Sequence, residues 1–237
     1  MGAQRGTNIS YNEVSRLLGG QWADLVTPFL QALVALQKGD RLQACQTFRE
    51  KHCRVLMDLL GVESWVAPAL SGAASTLKEL SVQADGDSLK RGGQTSNSQL
   101  AACAMMLQQM FSKTAAAKGQ DASYKKARSV AIGCVMLKTY FRLSTITNCK
   151  NVIQTIDNVL KVFDQAEAAH RVTYRYYTGR LLTYDERFQE ADEHLTYAFR
   201  NCDPSSHNNK RRILRYLIPI HTLKCSSISI GTMATVV

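Results

Sequence analysis

RVTYRYYTGRLLTYDERFQEADEHLTYAFRNCDP, residues 171–204, decides the fold. Gly179, Ala191, Leu195 and Ala198 occupy the eighth, twentieth, twenty-fourth and twenty-seventh positions of a repeating pair of antiparallel helices, with Pro204 one step past the usual end. Small residues at those offsets let two backbones approach closely, and the bulky one fills the gap that they leave. An earlier stretch fits the same grammar more loosely, with Ala32, Ala44 and Phe48 at matching offsets and Gly39-Asp40 at the turn. Two such units predict stacked helical hairpins, each burying its apolar stripe against its neighbours.

Outward from this stretch the period stays near 3.6. Ser10-Tyr11-Asn12-Glu13 has the form of a capping box, followed by Val14, Leu17 and Leu18. From Trp22, apolar steps run to Val34 with Pro28 expected to kink the helix or mark its first turn. Asp40 is placed to cap the next helix, which ends before Gly61, and another is expected over about 63–81. Residues 82–98, polar and containing Asp85-Gly86-Asp87 and Arg91-Gly92-Gly93, read as an exposed loop and an internal joint. Helices follow near 98–117, 123–142, 147–163, 167–183 and 186–201. The expected class is all-α, a tetratricopeptide-like superhelix. Its parts are N-terminal hairpins over 1–81, a loop over 82–98, a helical-repeat part over 99–220 and an atypical uncharged tail over 221–237.

Composition agrees with this reading. In 237 residues there are only 4 Pro and 14 Gly, and 45% of the chain is hydrophobic, enough for a sizeable core. No apolar run reaches the roughly 18 residues of a membrane span, and the first residues lack a signal-peptide core, so the sequence reads as soluble and intracellular. The net charge is +10, and residues 122–237 carry 17 basic against 9 acidic side chains, a balance that attracts polyanions. Seven cysteines without a CxxC spacing read as buried small hydrophobes rather than as zinc ligands or a disulfide framework.

Enzyme chemistry requires a nucleophile beside a base, paired carboxylates or a metal cluster. The five His are scattered, and there is no HExxH, no Walker-type loop and no GxSxG. Asp185, Glu186, Glu190, Asp192 and Glu193 read as a solvated helix start, where acids suit the positive end of the dipole. No catalytic residue, cofactor or metal is assigned.

Two features point to binding. Tyr174, Tyr176 and Tyr177 alternate with Arg171, Arg175 and Arg180, a mixture that packs helices together or stacks on bases. Lys210-Arg211-Arg212 with Arg215 is the densest basic patch, on a helix whose apolar side is read as Ile213, Leu214, Leu217 and Ile218. It reads as a polyanion or acidic-partner contact, a nuclear import signal, or a solvated face without a partner. Lys210, Arg211, Arg212, Arg215, Arg171 and Arg175 are the candidate contact residues. Gly179, Ala191, Leu195, Ala198, Tyr176 and Tyr177 are the candidate packing motif.

The order of motifs is more specific than any one of them. Met136–Leu143, Asn148–Ile153, Arg171–Arg180, then Phe188, Ala191, Leu195, Ala198-Phe199 and Cys202, then Asn209–Pro219 together resemble the PCI-domain subunit of the nuclear transcription-and-export complex two. Relatives of that family include Thp-type mRNA-export proteins, PCI domain-containing protein two and the signalosome subunit-twelve-like proteins. The resemblance implies a non-enzymatic scaffold, a helical superhelix followed by a winged helix. It implies pairing with a Sac/GANP-type protein and a small acidic Sem/DSS-type protein, location in the nucleus including the nuclear pore as well as the cytoplasm, and no membrane partner. A signalosome- or proteasome-lid-like scaffold without an RNA role and an independent RNA-binding module are the alternatives. After Pro219 the sequence departs from the family, and its uncharged end, Cys225–Val237, is read as a truncation before the winged helix that would leave Leu214, Leu217 and Ile218 without their next helical neighbour.

Overall fold

The chain was analysed as a computed structural model that describes residues 11–90, 92, 97–119, 121–160 and 163–233; the side chains of 11, 21, 158–160 and 224–233 lie outside the description. The capping residue Ser10, Arg91 and Gly93 of the polar loop, and the side chain of Leu160 also lie outside it. Among the described residues every regular element is helical, so the all-α expectation holds. The helices form two compact units, Met1–Ser144 and Thr145–Val237.

The first unit begins with α1 (Tyr11–Leu18) and α2 (Gly20–Gln37), which pack together. Pro28 lies inside α2 rather than at its first turn. Gly39, at φ +80°, makes the left-handed turn that an L side chain resists, and the Asp40 carboxylate accepts the Gln43 N–H at 3.0 Å to start α3 (Arg41–Thr47). A wide π turn over Phe48–His52 carries α3 directly into α4 (Cys53–Leu59). There the rings of Phe29, Phe48 and His52 meet, and His52 Nδ1–H donates to the Leu25 carbonyl at 3.0 Å, tying the turn to α2.

Helix α5 (Val66–Lys90) corrects the expected loop over 82–98. Its last turns are polar because their carboxylates serve neighbouring elements. The Asp85 oxygens accept the N–H groups of Gln99 (3.0 Å) and Leu100 (2.9 Å), capping α6 (Ser98–Ala115) from a different helix. Asp87 accepts two bonds of 2.8 Å from Arg41. The polar stretch therefore closes a hairpin inside the first unit, and the division of the chain falls at Ser144–Thr145 instead. Helix α7 (Ala122–Leu143) packs against both α5 and α6 and is buried on every side from Ser129 to Leu137, as a helix without a polar face must be. Near its start the Lys125 ammonium is buried and donates to the Leu60 carbonyl at 2.9 Å, satisfying the end of α4.

The second unit contains α8 (Thr147–Gln154), a π turn over Thr155–Leu160, a short 3-10 turn over Phe163–Gln165, then α9 (Ala168–Tyr184), α10 (Phe188–Asn201) and α11 (His207–Met233). Helix α10 lies between α9 and α11 in the packing order, and its Ala191, Leu195 and Ala198 are completely buried. On α11 the buried stripe is Ile213, Leu217 and Ile220, the i, i+4, i+7 series. Leu214 is partly buried against this core, whereas Ile218, read as apolar-facing, is 59% exposed, because it lies one position off the stripe that meets α10. The tail from 221, which carries Lys224 and so is not wholly uncharged, begins as helix, and α11 runs on to Met233.

Six of the seven cysteines fit the reading as small hydrophobes; the side chain of Cys225 lies outside the described residues. Cys45, Cys53, Cys103, Cys134, Cys149 and Cys202 are buried free thiols, and burial pushes the Cys103 thiol up to about 12.

Candidate functional site

The candidate residues all fall on α9, α10 and α11, and the structure sorts them into three groups. The first is the packing motif. A Cβ on Gly179 would meet Leu195 Cγ at 2.6 Å, Leu195 Cδ2 at 3.0 Å and the Ala191 carbonyl at 3.3 Å. Glycine at this position is thus the condition for the α9–α10 contact, with Leu195 seated in the gap and Ala191 and Ala198 at zero exposure on either side.

The second group is a pair of arginine-centred aromatic clusters built around α9. The Arg175 guanidinium lies over the rings of Phe163 (4.6 Å) and Tyr197 (5.3 Å) and contacts the His194 ring at 3.4 Å. Arg180 lies over Tyr216 (5.0 Å), Tyr176 (5.5 Å) and Tyr177 (5.5 Å), and is hydrogen-bonded to Tyr184. Tyr176 and Tyr177 meet edge-on at 5.0 Å, and Tyr176 meets Tyr216 of α11 at 6.3 Å. These contacts give the Tyr/Arg helix its packing role: cations over aromatic faces at a half-buried helix interface, each contact contributing on the order of 1 kcal/mol. Tyr174, the third of the tyrosines, is buried with its hydroxyl donating to the Ile153 carbonyl at 3.4 Å.

The clusters explain why Arg175 does not join the basic patch, and Arg171 is likewise half-buried on α9. The third group is that patch. Arg211, Arg212 and Arg215 are exposed on α11, opposite the stripe that packs on α10, while Lys210 lies half-buried with its ammonium 5.8 Å from the Phe199 ring centre. The six basic candidates therefore separate into three solvent-facing guanidinium groups and three side chains with stems or heads drawn into the unit. Upstream of the patch, the Asp203 carboxylate accepts the Ser205 N–H (2.7 Å) and hydroxyl (2.6 Å), which holds its pKa below the usual range and sets the turn into α11.

The acidic residues of the α9–α10 turn disperse to separate partners. Lys150 Nζ contacts the Asp185 carboxylate at 2.8 Å, Arg187 Nε donates to Glu190 at 2.7 Å, and the Asp192 carboxylate pairs with His221 of α11 at 2.7 Å. Among the described residues no group of three or more His, Cys, Asp or Glu is placed to hold a metal ion, and no helix is long and apolar enough to cross a membrane.

Arg180 is the residue that sequence reasoning undervalued. Its signal was present: Tyr176, Tyr177 and Tyr184 stand four before, three before and four after it, the positions that share its face of the helix. Tyr216, which comes from another helix, had no such signal.

No protein-family model matches the chain. Among curated proteins, Enhanced ethylene response protein 5 of Arabidopsis thaliana is 32% identical over 203 residues, 84% of this chain and 47% of that protein. PCI domain-containing protein 2 of Xenopus laevis is 32% identical over 162 residues, 68% of this chain and 40% of that protein. The CSN12 homolog of Neurospora crassa is 29% identical over 185 residues, 69% of this chain and 40% of that protein. The chain spans about half the length of the curated relatives it matches.

Two outcomes follow from the geometry. Gly179→Ala should lower stability by about 1–3 kcal/mol, because Leu195 must move to admit the methyl group; chemical denaturation of the purified chain measures it. Burial, and then the Arg175 charge, hold the His194 pKa down at about 4 against an ordinary value of 6.5, with Arg187 acting in the same direction and Glu190 opposing. The unfolded chain therefore takes up this proton at higher pH than the folded one does, so this group's effect on stability is absent above 6.5 and increasingly unfavourable as pH falls from 6.5 toward 4. His194→Gln should flatten that part of the denaturation-midpoint profile, and an unchanged profile would remove the assignment.

Proposed function

Because the chain belongs to the family of PCI domain-containing protein 2 and CSN12-like proteins over the stretch that it shares with them, we propose that it is a scaffold subunit of a nuclear complex coupling transcription to messenger RNA export at the nuclear pore. The observation that carries this reading is the combination of that identity with the second unit, where a glycine-dependent hairpin presents a helix whose outer side holds three exposed arginines. An all-helical hairpin stack of this kind acts by contact, offering large side-chain surfaces to other macromolecules. Its proposed partners are a Sac/GANP-type scaffold protein and a small acidic Sem/DSS-type protein, with Arg211, Arg212 and Arg215 as an accessory site for an acidic segment or for nucleic acid. The proposed location is the nucleus, including the nuclear pore, with a cytoplasmic fraction. No catalytic step is assigned to it.

The similarity to the Neurospora crassa CSN12 homolog favours a second reading, a signalosome- or lid-type scaffold without an RNA role. Exposed arginines favour a third, in which the second unit binds RNA on its own; cations at a surface contact phosphates without reading bases.

Affinity purification of the tagged chain from its own cells separates the first two. Recovery of a Sac/GANP-type protein together with a small acidic protein is expected; recovery of signalosome or lid subunits instead would replace the export reading. Salt-dependent binding to single-stranded RNA tests the third. Replacing Arg211, Arg212 and Arg215 together by Ala should weaken binding and reduce the slope of log K against log salt by about 2, since each phosphate contact on a single strand contributes about 0.7. No binding by the unaltered chain at about 50 mM salt would remove the RNA role.

A further inference from the structure

The only two tryptophans of the chain meet at one place in the first unit. Trp22, on α2, and Trp65, just before α5, stack with ring centres 5.4 Å apart and planes inclined by 22°, yet they remain 49% and 44% exposed. Between them and the end of α4 is an open pocket of about 230 Å³ lined by both indoles, Leu25, Leu59 and Glu63. Large aromatic rings left half in water cost hydrophobic free energy that ordinary packing would recover, so such a pair at the mouth of a pocket marks a contact surface.

Glu63 identifies what the pocket accepts. Its side chain is half-buried, its N–H is used on the Leu59 carbonyl at 2.9 Å, and its carboxylate has no hydrogen bond or ion pair among the described residues. The neighbouring acids are committed: Asp58 pairs with Lys113, and Asp121 accepts the Ser64 hydroxyl. The nearby Lys125 ammonium donates to the Leu60 carbonyl. No Lys or Arg lines the pocket, and among the described residues none lies over either indole, although the chain carries +10 overall. A partly desolvated carboxylate beside two indole faces attracts a cation from both sides, since indole is the aromatic ring with the strongest attraction for positive charge. The volume lies below the range of ligand and cofactor sites and suits a single side chain.

We propose that the pocket formed by Trp22, Trp65 and Glu63 is a docking site for one cationic side chain, an arginine or a lysine, presented by an exposed segment of a partner protein. The cation lies against the outer indole face with its charge turned to Glu63, and its aliphatic stem covers Leu25 and Leu59. This surface belongs to the first unit and is separate from the arginine patch of α11, so it stands whether or not the export reading does. It also has the opposite preference: α11 offers cations, and this pocket selects them.

Because both tryptophans of the chain line the pocket, fluorescence excited at the red edge of the indole band, about 295 nm, where the nine tyrosines scarcely absorb, reports on it. The probes are blocked tetrapeptides of the form Gly-Gly-X-Gly, with X arginine, lysine, trimethyllysine or the uncharged arginine analogue citrulline. The charged peptides should give a saturable change in emission that weakens as salt rises, while the citrulline peptide gives none. Among the charged probes, a preference for trimethyllysine over lysine would mark a site that reads methylation, and the reverse or an arginine preference a site for unmodified side chains; either supports the proposal. Glu63→Gln should weaken binding of the charged peptides roughly tenfold, the factor carried by one charge-assisted contact. Circular dichroism shows whether that variant keeps its helices, and its two tryptophans still supply the signal. An equal response to citrulline, an unchanged affinity in Glu63→Gln, or no saturable response to any charged peptide would each overturn the assignment.

Discussion

Small side chains at the helix–helix contacts set the spacing of this molecule, and Gly179 is where that constraint is tightest. With Leu195 occupying the space that a methyl group would need, α9 and α10 meet at a distance that a larger residue at 179 could keep only by displacing Leu195. The position of α10 in turn decides what α11 can bury: Ile213, Leu217 and Ile220 pack into the core that Ala191, Leu195 and Ala198 line. The first unit uses the same device where α3 packs on α5, with the Cys45 thiol and the Ser81 hydroxyl buried and 3.3 Å apart. Close approach also explains the buried hydroxyls and thiols, which are small enough to sit between helices and can be satisfied locally, as Ser81 is by the Leu77 carbonyl at 2.8 Å.

Charge is distributed by depth. Arg175 and Arg180 place their guanidinium groups on aromatic faces, where a delocalised and weakly hydrated cation loses little by leaving bulk water, and thereby join α9 to its neighbours. Asp85 and Asp87 work in the same way from α5, one capping α6 and the other clamping Arg41. Among the described residues, the outer side of α11 near one end of the sequence and the paired tryptophans near the other stay open to solvent. The two surfaces have opposite charge, three guanidinium groups on α11 and the Glu63 carboxylate beside the indoles.

Much of the fold was legible in the order of residues. The offsets of Gly179, Ala191, Leu195 and Ala198 announced a hairpin because close packing leaves few choices at those positions. The cap at Asp40 was legible because Asp, a glycine turn and an apolar run occur together. The polar stretch at 82–98 misled for a physical reason: Asp85 and Asp87 are polar not because they face water but because they serve elements distant in sequence. In the same way Arg175, expected on the Tyr/Arg helix as a contact residue, is committed to Phe163, Tyr197 and His194 through contacts no helical period encodes. Ile218 misled by one position, since α11 could present its stripe at two nearly equivalent rotations until α10 selected one.

By itself, the sequence determined that this protein is helical, that its second half is basic and that α9 and α10 form a close hairpin, because propensity, charge and small-residue spacing act over one or two turns of chain. Tertiary structure alone decided which arginines remain available, that Asp85 caps a helix it does not belong to, and that Trp22 and Trp65 meet beside an unpaired Glu63. Each of these depends on groups many residues apart reaching contact distance, and contact distance is a property of packed helices rather than of the order of residues along one of them.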